Sequence, residues 1–123
     1  MTNKDIGEKG EKIAEKYLRE QGFSILAKNY ARPWGEIDIV AQKGRSIRFV
    51  EVKTLVVKGS NDGGFRPEEK VDYGKIKRIH RAAETFLNDH DIDFDWQIDV
   101  VAVLIDRDSG ESRIEFIEHA FFD

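Results

Sequence analysis

The sequence contains no cysteine among its 123 residues. Disulfide frameworks and thiolate zinc sites are therefore excluded, and any metal held by side chains must be held through oxygen or nitrogen atoms. Among metals, oxygen ligands favour hard cations such as Mg²⁺ and Mn²⁺.

Long apolar runs are also missing. The longest, Val100 to Ile105, is far too short to span a membrane, and the N-terminal segment MTNKDIGEKGEK lacks the apolar core of a signal peptide. These absences predict a cytoplasmic protein with no membrane contact. The hydrophobic fraction of 40% and charged fraction of 36% predict one folded domain over residues 1–123 with a heavily charged surface.

Charge is distributed unevenly along the chain, although the net charge is only -4. Residues 43–81 hold eleven Lys or Arg against five Asp or Glu, whereas residues 89–123 hold two against eleven. A basic face that meets phosphate and an acidic face can coexist on one domain. Charge of both signs without a binding role fits the composition equally well.

Hydrophobic periodicity predicts the order helix, three strands, helix, two strands. The helices are predicted over residues 5–21 and 68–89, and the strands over residues 23–30, 35–42, 46–56, 96–105 and 113–118. A glycine-rich loop is predicted at residues 58–67. The first three strands can form a meander, and the second helix has the length that a parallel crossover needs. We therefore expect an α/β fold with a mixed central sheet flanked by helices.

The segment at residues 35–53, GEIDIVAQKGRSIRFVEVK, reads as two apolar strands joined by a tight turn. If Gly44 and Arg45 are the central residues of that turn, Lys43 faces Ser46 and the pairing of all later positions follows. This register places Asp38 opposite Glu51 and Glu36 opposite Lys53, so four charged side chains share one face of the hairpin. The opposite face is expected to be buried through Ile37, Ile39, Val50 and Val52.

Two carboxylates directly opposite each other, with Cβ atoms about 5 Å apart, normally destabilise a strand pair. A divalent cation between Asp38 and Glu51 would remove the repulsion, and the backbone carbonyl of Val52 is a candidate further ligand. Lys53 could then orient a metal-bound water or stabilise negative charge during phosphodiester hydrolysis. The alternative is a solvated strand edge at which Lys53 pairs with Glu51 or Glu36.

The pattern Asp38, twelve residues, then Glu51-Val52-Lys53 resembles the signature of the PD-(D/E)xK, or restriction-endonuclease-like, nuclease superfamily. Five further features look like those of the uncharacterised YraN family, itself similar to archaeal-type Holliday-junction resolvases. They are Gly10-Glu11, GEIDIV, FVEVK, Lys75 and the IDVV of residues 98–101.

The resemblance runs from Gly7 to about Val103 and implies a restriction-endonuclease-like fold, a Mg²⁺-dependent nuclease site and a DNA substrate that can be branched. It implies that Asp38 and Glu51 bind metal, that Lys53 is the catalytic lysine and that Glu11 is an additional acid. The chain departs from the family pattern in two places: Thr54-Leu55 follow Lys53, where the family usually has an arginine soon after, and Gln97 stands where an arginine is common. These departures predict a weaker hold on the substrate.

The remaining candidates are basic residues of the second predicted helix and two supporting acids. The residues expected to contact DNA are Lys70, Lys75, Lys77, Arg78 and Arg81. Glu36 and Asp99 are the supporting acids, and Asp99 is expected to accept hydrogen bonds from buried backbone or hydroxyl groups.

Three functions remain open from sequence. The first is a metal-dependent DNA endonuclease, for which a branched substrate would favour a two-fold dimer because two strands must be cut. The second is a nucleic-acid-binding module with a vestigial nuclease site. The third is a protein-interaction domain in which the hairpin charges form an ion-pair cluster.

Overall fold

The computed structural model describes residues 2–58 and 73–120. Its elements, in chain order, are α1 (Asn3–Glu20), β1 (Ser24–Arg32), β2 (Gly35–Lys43), β3 (Ser46–Val57), α2 (Tyr73–Asp89), β4 (Asp95–Asp106) and β5 (Ser112–Ile117). This order confirms the predicted mixed α/β fold. The predicted start of the second helix at residue 68, Lys70, and the predicted loop beyond Lys58 lie outside the described residues.

The strands form one five-stranded sheet in the order β1-β2-β3-β4-β5. The first three strands are an antiparallel meander, as predicted. Strands β3 and β4 are parallel, from Ser46 paired with Asp95 to Val57 paired with Asp106, so α2 lies within a crossover connection. Strand β5 closes the sheet as the antiparallel neighbour of β4.

The two helices pack on opposite faces of the sheet, so the central strands are buried on both sides. Helix α1 contributes Ala14 and Leu18 to a core shared with Val50 of β3. Helix α2 contributes Ile79 and Phe86 to a second core with Phe49 and other strand residues, including Tyr30, Ile37, Val40 and Ile98. Burial on both faces explains the nearly continuous apolar runs of β3 and β4.

Helix α1 begins with a capping box, in which the Thr2 and Asp5 side chains each bond the backbone of the other residue. It ends before Gly22, whose φ of +95° lies in the region that favours glycine. Between these ends, a Cβ at Gly10 would overlap the hydroxyl of Thr54. The glycine therefore allows α1 to approach β3 closely, which brings the neighbouring Glu11 near the sheet.

In the described ranges, neither helix combines the length and apolar character needed to cross a membrane.

Candidate active site where two strands diverge

The hairpin between β2 and β3 has the predicted register close to its turn. Pairing runs from Lys43–Ser46 to Ile39–Val50, and Gly44 has the positive φ of 60° that its turn position requires. The ladder between these two described strands goes no further. The predicted direct pairings of Asp38 with Glu51 and of Glu36 with Lys53 are therefore wrong.

The reason is a hydrogen bond from the strand to a side chain. The backbone N–H of Val52 donates to Asp38 Oδ2 at 2.8 Å, so the carboxylate receives a bond that a strand carbonyl would otherwise accept. Strands β2 and β3 diverge from this point. The prediction from turn geometry assumed that the backbone ladder continued through it.

The alternation of β2 side chains between the two faces of the sheet also changes at Asp38. Ile37 packs in the core beneath α2, whereas Ile39 packs in the core beneath α1. The expectation that these two isoleucines share a face is therefore wrong. Asn29, on the neighbouring strand at the same level, has a φ of 52°, so a backbone distortion in β1 accompanies the change of sides in β2. This distortion is the kind that re-aims a side chain near a functional site.

A cavity of about 410 Å³ opens between the diverging strands and α2. Its acidic lining comes from the strands and includes Asp38, Glu51 and Glu36, while its basic lining comes from α2 and includes Lys75 and Arg78. The other lining residues are Gly35, Ile37, Val50 and Ile79. The fold thus brings both predicted metal ligands into one cavity without pairing them across the ladder.

Asp38 is the most perturbed acid of the site. Its pKa is raised from 3.8 to about 6, chiefly by burial and also by the negative charges of Glu11, Glu51 and Glu36, against the opposing effect of the Val52 amide. Near neutral pH the carboxyl is nevertheless largely ionised. Within residues 2–58 and 73–120, the charges that most affect its pKa are those of the three acids, so a cation at this position would be stabilised.

Glu11 approaches this group from α1. It is half-buried, and its pKa is raised, first by burial and also by the charges of Glu36 and Glu8. A hydrogen bond with the side chain of Asn29 opposes the rise in pKa. Glu11 does not line the cavity itself. The structure places it as an outer acid that adds negative charge near Asp38.

Glu51 is held differently, because the Lys75 ammonium forms an ion pair with its Oε1 atom. The Glu51 side chain is only 12% exposed, whereas that of Lys75 is 39% exposed. The lysine that was expected at DNA phosphate therefore lies against a proposed metal ligand.

Lys53, the predicted catalytic lysine, is half-buried in β3 beside Ala102 of β4. Strand alternation places it on the side of the sheet to which Glu51 points. It is not among the described residues that line the cavity. Its catalytic role stays a prediction.

The remaining basic residues lie along α2. Arg78 lines the cavity and Lys77 is exposed, whereas the guanidinium of Arg81 lies 4.6 Å from the centre of the Trp34 ring. The Trp34 Nε1 atom also donates to Thr85 of α2 at 3.2 Å, so the turn between β1 and β2 is fixed to this helix. Sequence reasoning missed this contact, because no local pattern relates Trp34 to a helical residue 51 positions later.

Gly35 belongs to the same contact. A Cβ at this position would overlap the carbonyl oxygen of Arg78, so the start of β2 can approach α2 only with glycine there. This close approach forms one wall of the cavity. The glycine that opens the GEIDIV segment therefore has a steric role, beside the acids that follow it.

Asp99 lies outside the cavity and is completely buried. It accepts hydrogen bonds from Arg48 at 2.9 Å, from the Gln97 amide at 2.8 Å and from the backbone N–H of His119 at 2.9 Å. Arg48 was not among the predicted residues. The available signal was an arginine and an aspartate, each isolated within an apolar strand.

The donor set determines which metals could fit the cavity. In residues 2–58 and 73–120, no three His, Asp or Glu side chains form a group that could hold a metal by themselves. Two carboxylates, Asp38 and Glu51, nevertheless suit Mg²⁺, which commonly binds one or two protein carboxylates and completes its shell with water and substrate phosphate. The residues fit a metal site that is completed by substrate. The Val52 carbonyl stays a predicted ligand, and its amide binds Asp38.

Comparison with known proteins gives a family that spans most of the chain. The uncharacterised protein family UPF0102 matches residues 10–103. The chain belongs to this family. A UPF0102 protein of Alkaliphilus metalliredigens is 39% identical over 120 residues, covering 97% of this chain and 99% of the relative. One of Porphyromonas gingivalis is 40% identical over 119 residues, covering 95% and 84%.

A third relative, from Bacteroides thetaiotaomicron, is 38% identical over 118 residues, covering 96% of this chain and 93% of its own. These matches confirm the family suggested by the motifs, since UPF0102 and YraN are the same family. The family is uncharacterised, so membership adds no activity to the geometry of the cavity.

Proposed function

We propose that this UPF0102 protein is a metal-dependent DNA endonuclease that hydrolyses phosphodiester bonds. The observation that carries the proposal is the cavity in which Asp38 and Glu51 meet Lys75 and Arg78. Acids on one wall suit a divalent cation, and bases on the other suit the phosphate on which that cation would act. A protein-interaction domain has no need of this separation of charge inside a cavity.

Asp38 and Glu51 would hold Mg²⁺ or Mn²⁺, which supplies Lewis acidity and lowers the pKa of a bound water. The protein fixes the two carboxylates in advance, Asp38 through the Val52 amide and Glu51 through its nearly buried place in β3. Glu36 and Glu11 add negative charge around Asp38, which increases its attraction for a cation.

The basic residues have a separate role in the proposal. Lys53 stabilises the negative charge that develops on the scissile phosphate, or orients the attacking water. Arg78 contacts phosphate inside the cavity, while Lys77, Arg81 and Lys70 contact the DNA backbone further along. Branched DNA is the proposed substrate, and a two-fold dimer would allow two strands to be cut.

A nucleic-acid-binding module is the second candidate, and one observation favours it. Lys75 already neutralises Glu51, so the cavity can be electrostatically satisfied at that residue without a metal. In this alternative the basic surface of α2 binds DNA and the acids are a remnant. Such a protein would bind DNA without cleaving it.

Cleavage of a panel of single-stranded, duplex, flap and four-way-junction DNA in Mn²⁺ separates these functions. The wild type should cut at least one substrate, and EDTA should stop the reaction. Asp38→Asn should reduce the rate by about 100-fold or more, as expected when a principal electrostatic group is removed. Equal rates for wild type and Asp38→Asn would mean that the cleavage comes from another protein.

Lys53→Ala further separates the nuclease proposal from the nucleic-acid-binding module. The nuclease proposal expects a large loss of cleavage with DNA affinity nearly unchanged, because the lysine acts on developing charge rather than on the bound ground state. Binding of DNA by the wild type without cleavage of any substrate would favour the binding module.

A further inference from the structure

We propose that Lys75 occupies the cation position at Glu51 while no metal is bound, and that metal binding displaces its ammonium onto the substrate phosphate. The inference rests on the proposed function and deepens it. It makes Lys75 an exchangeable counter-ion that couples metal binding to DNA binding.

The two proposed ligands are neutralised unequally. Among the described residues, the charges that most affect the pKa of Asp38 are those of Glu11, Glu51 and Glu36, all negative. Glu51, which lines the same cavity, has the Lys75 ammonium on its Oε1 atom. In the described part of the chain, this ion pair therefore places a positive charge on one acid of the pair, at a carboxylate that a metal would also need.

Glu51 and Lys75 also differ in their freedom to move. Glu51 is 12% exposed and belongs to β3, which pairs with β4 along its whole length. Lys75 is 39% exposed and lies in the first turn of α2 on a flexible four-carbon stem. When a divalent cation competes for Glu51, the lysine is the partner that can leave.

A bound metal ion and the Lys75 ammonium would repel each other at Glu51. A divalent ion shared by Asp38 and Glu51 would lie within a few ångströms of an ammonium that remained on Glu51. In a partly buried cavity this repulsion is only weakly screened by salt. A metal ion at Glu51 therefore disfavours the ion pair with Lys75, and the ion pair disfavours the metal ion.

The cavity also offers the released ammonium a new partner. Arg78 lies one helical turn after Lys75 and lines the same cavity. A phosphate held by Arg78 is within reach of the displaced lysine. Metal binding then increases DNA affinity, and by linkage DNA increases metal affinity by the same factor.

Calorimetric titration with Mn²⁺, without DNA, tests the exchange on wild type and two variants. Lys75→Met removes the competing ammonium and should tighten Mn²⁺ binding about tenfold, equivalent to about 1.4 kcal/mol. Lys77→Met is the matched control, because it removes the same charge from an exposed site on the same helix. Its affinity for Mn²⁺ should stay within about twofold of the wild type.

Two results would overturn the inference in different ways. Equal or weaker Mn²⁺ binding by Lys75→Met, relative to Lys77→Met, would mean that Lys75 only attaches α2 to the sheet, and the nuclease proposal would survive. Absence of Mn²⁺ binding in every variant would remove the metal site itself, and with it both proposals.

Binding of a phosphorothioate-protected four-way junction gives a second readout. Lys75→Met should lose several-fold more affinity in Mg²⁺ than in EDTA, whereas Lys77→Met should lose the same factor in both. Glu51→Gln frees the lysine without metal and should bind more tightly than wild type in EDTA, which tests the exchange even if Lys75→Met fails to fold. Equal losses for Lys75→Met in Mg²⁺ and EDTA, or no gain for Glu51→Gln, would contradict the exchange.

Discussion

Asp38 and Asp99 are both aspartates within apolar strands of the same sheet, yet their surroundings are opposite. Asp99 is completely buried and receives a guanidinium, an amide and a backbone N–H. Asp38 is partly buried, receives the Val52 N–H, and is surrounded by the charges of other acids.

Asp99 therefore supports the folded state, whereas the ionised Asp38 carboxylate destabilises it. A buried carboxylate is tolerated when donors and a counter-charge replace water, as they do at Asp99. The surroundings of Asp38 instead raise its pKa, which means that they disfavour the ionised form. An acid kept under these conditions in an open cavity is a candidate for binding a cation.

Removing the counter-charge of Asp99 should have the largest effect on stability. Arg48→Met would leave a buried carboxylate without its guanidinium, and we expect a loss of about 3 to 5 kcal/mol in the free energy of unfolding. Urea denaturation at pH 7 measures this loss. Arg107→Met, at an exposed turn, is the control and should change stability by less than about 0.5 kcal/mol. Similar values for both variants would show that the Asp99 network does not hold the fold.

Neutralising Asp38 should instead increase the free energy of unfolding. Because its folded pKa of about 6 lies above the ordinary 3.8, the folded state binds the proton more tightly than the unfolded state does. Its contribution to stability therefore falls as pH rises from about 4 to about 6, and the penalty is complete above that range. Allowing for solvent contact, we expect Asp38→Asn to be more stable than wild type by about 2 kcal/mol at pH 7.5.

The stability difference between wild type and Asp38→Asn should shrink towards zero near pH 4. Urea denaturation at both pH values checks this trend. Asp99→Asn is the matched substitution and should destabilise the protein at pH 7.5. Destabilisation by Asp38→Asn at pH 7.5 would instead place Asp38 with Asp99 as an acid that supports the fold.

The smallest effect is expected for Glu11, the outer acid, and concerns the pKa of Asp38. Glu11 raises the pKa of Asp38 through its charge, so Glu11→Gln should lower that pKa by well under one pH unit. Titration of the Asp38 carboxyl carbon by NMR measures the change. Glu8→Gln, at an exposed position of the same helix, should leave the Asp38 titration unchanged. An equal shift in both variants would remove Glu11 from the cluster.

Local rules predicted the element order and the first pairs of the hairpin, because periodicity and a glycine turn determine both. They could not predict where the ladder ends, since that depends on the hydrogen bond between the Asp38 side chain and the Val52 backbone. Strict alternation failed at the same point for Ile37 and Ile39.

Contacts between distant parts of the chain were harder still to predict. The Arg48–Asp99 pair joins parallel strands, and the Glu51–Lys75 pair joins a strand to the crossover helix. Both pairs depend on the register between strands and on how the elements pack. The order of the elements along the sequence determines neither. The cavity forms only where α2 packs on the sheet. The sequence therefore predicted the acids of the hairpin and the bases of the helix as separate groups, but not that they line one cavity.

Calorimetric titration with Mn²⁺ tests the central claim most directly when wild type is compared with Asp38→Asn and Asp95→Asn. Asp95 is an exposed aspartate at the start of β4, so its variant controls for the loss of one negative charge. The account predicts Mn²⁺ binding by wild type and Asp95→Asn, and at least roughly tenfold weaker binding by Asp38→Asn. Equal affinity in all three proteins, or no binding by the wild type, would contradict a metal site at Asp38 and Glu51.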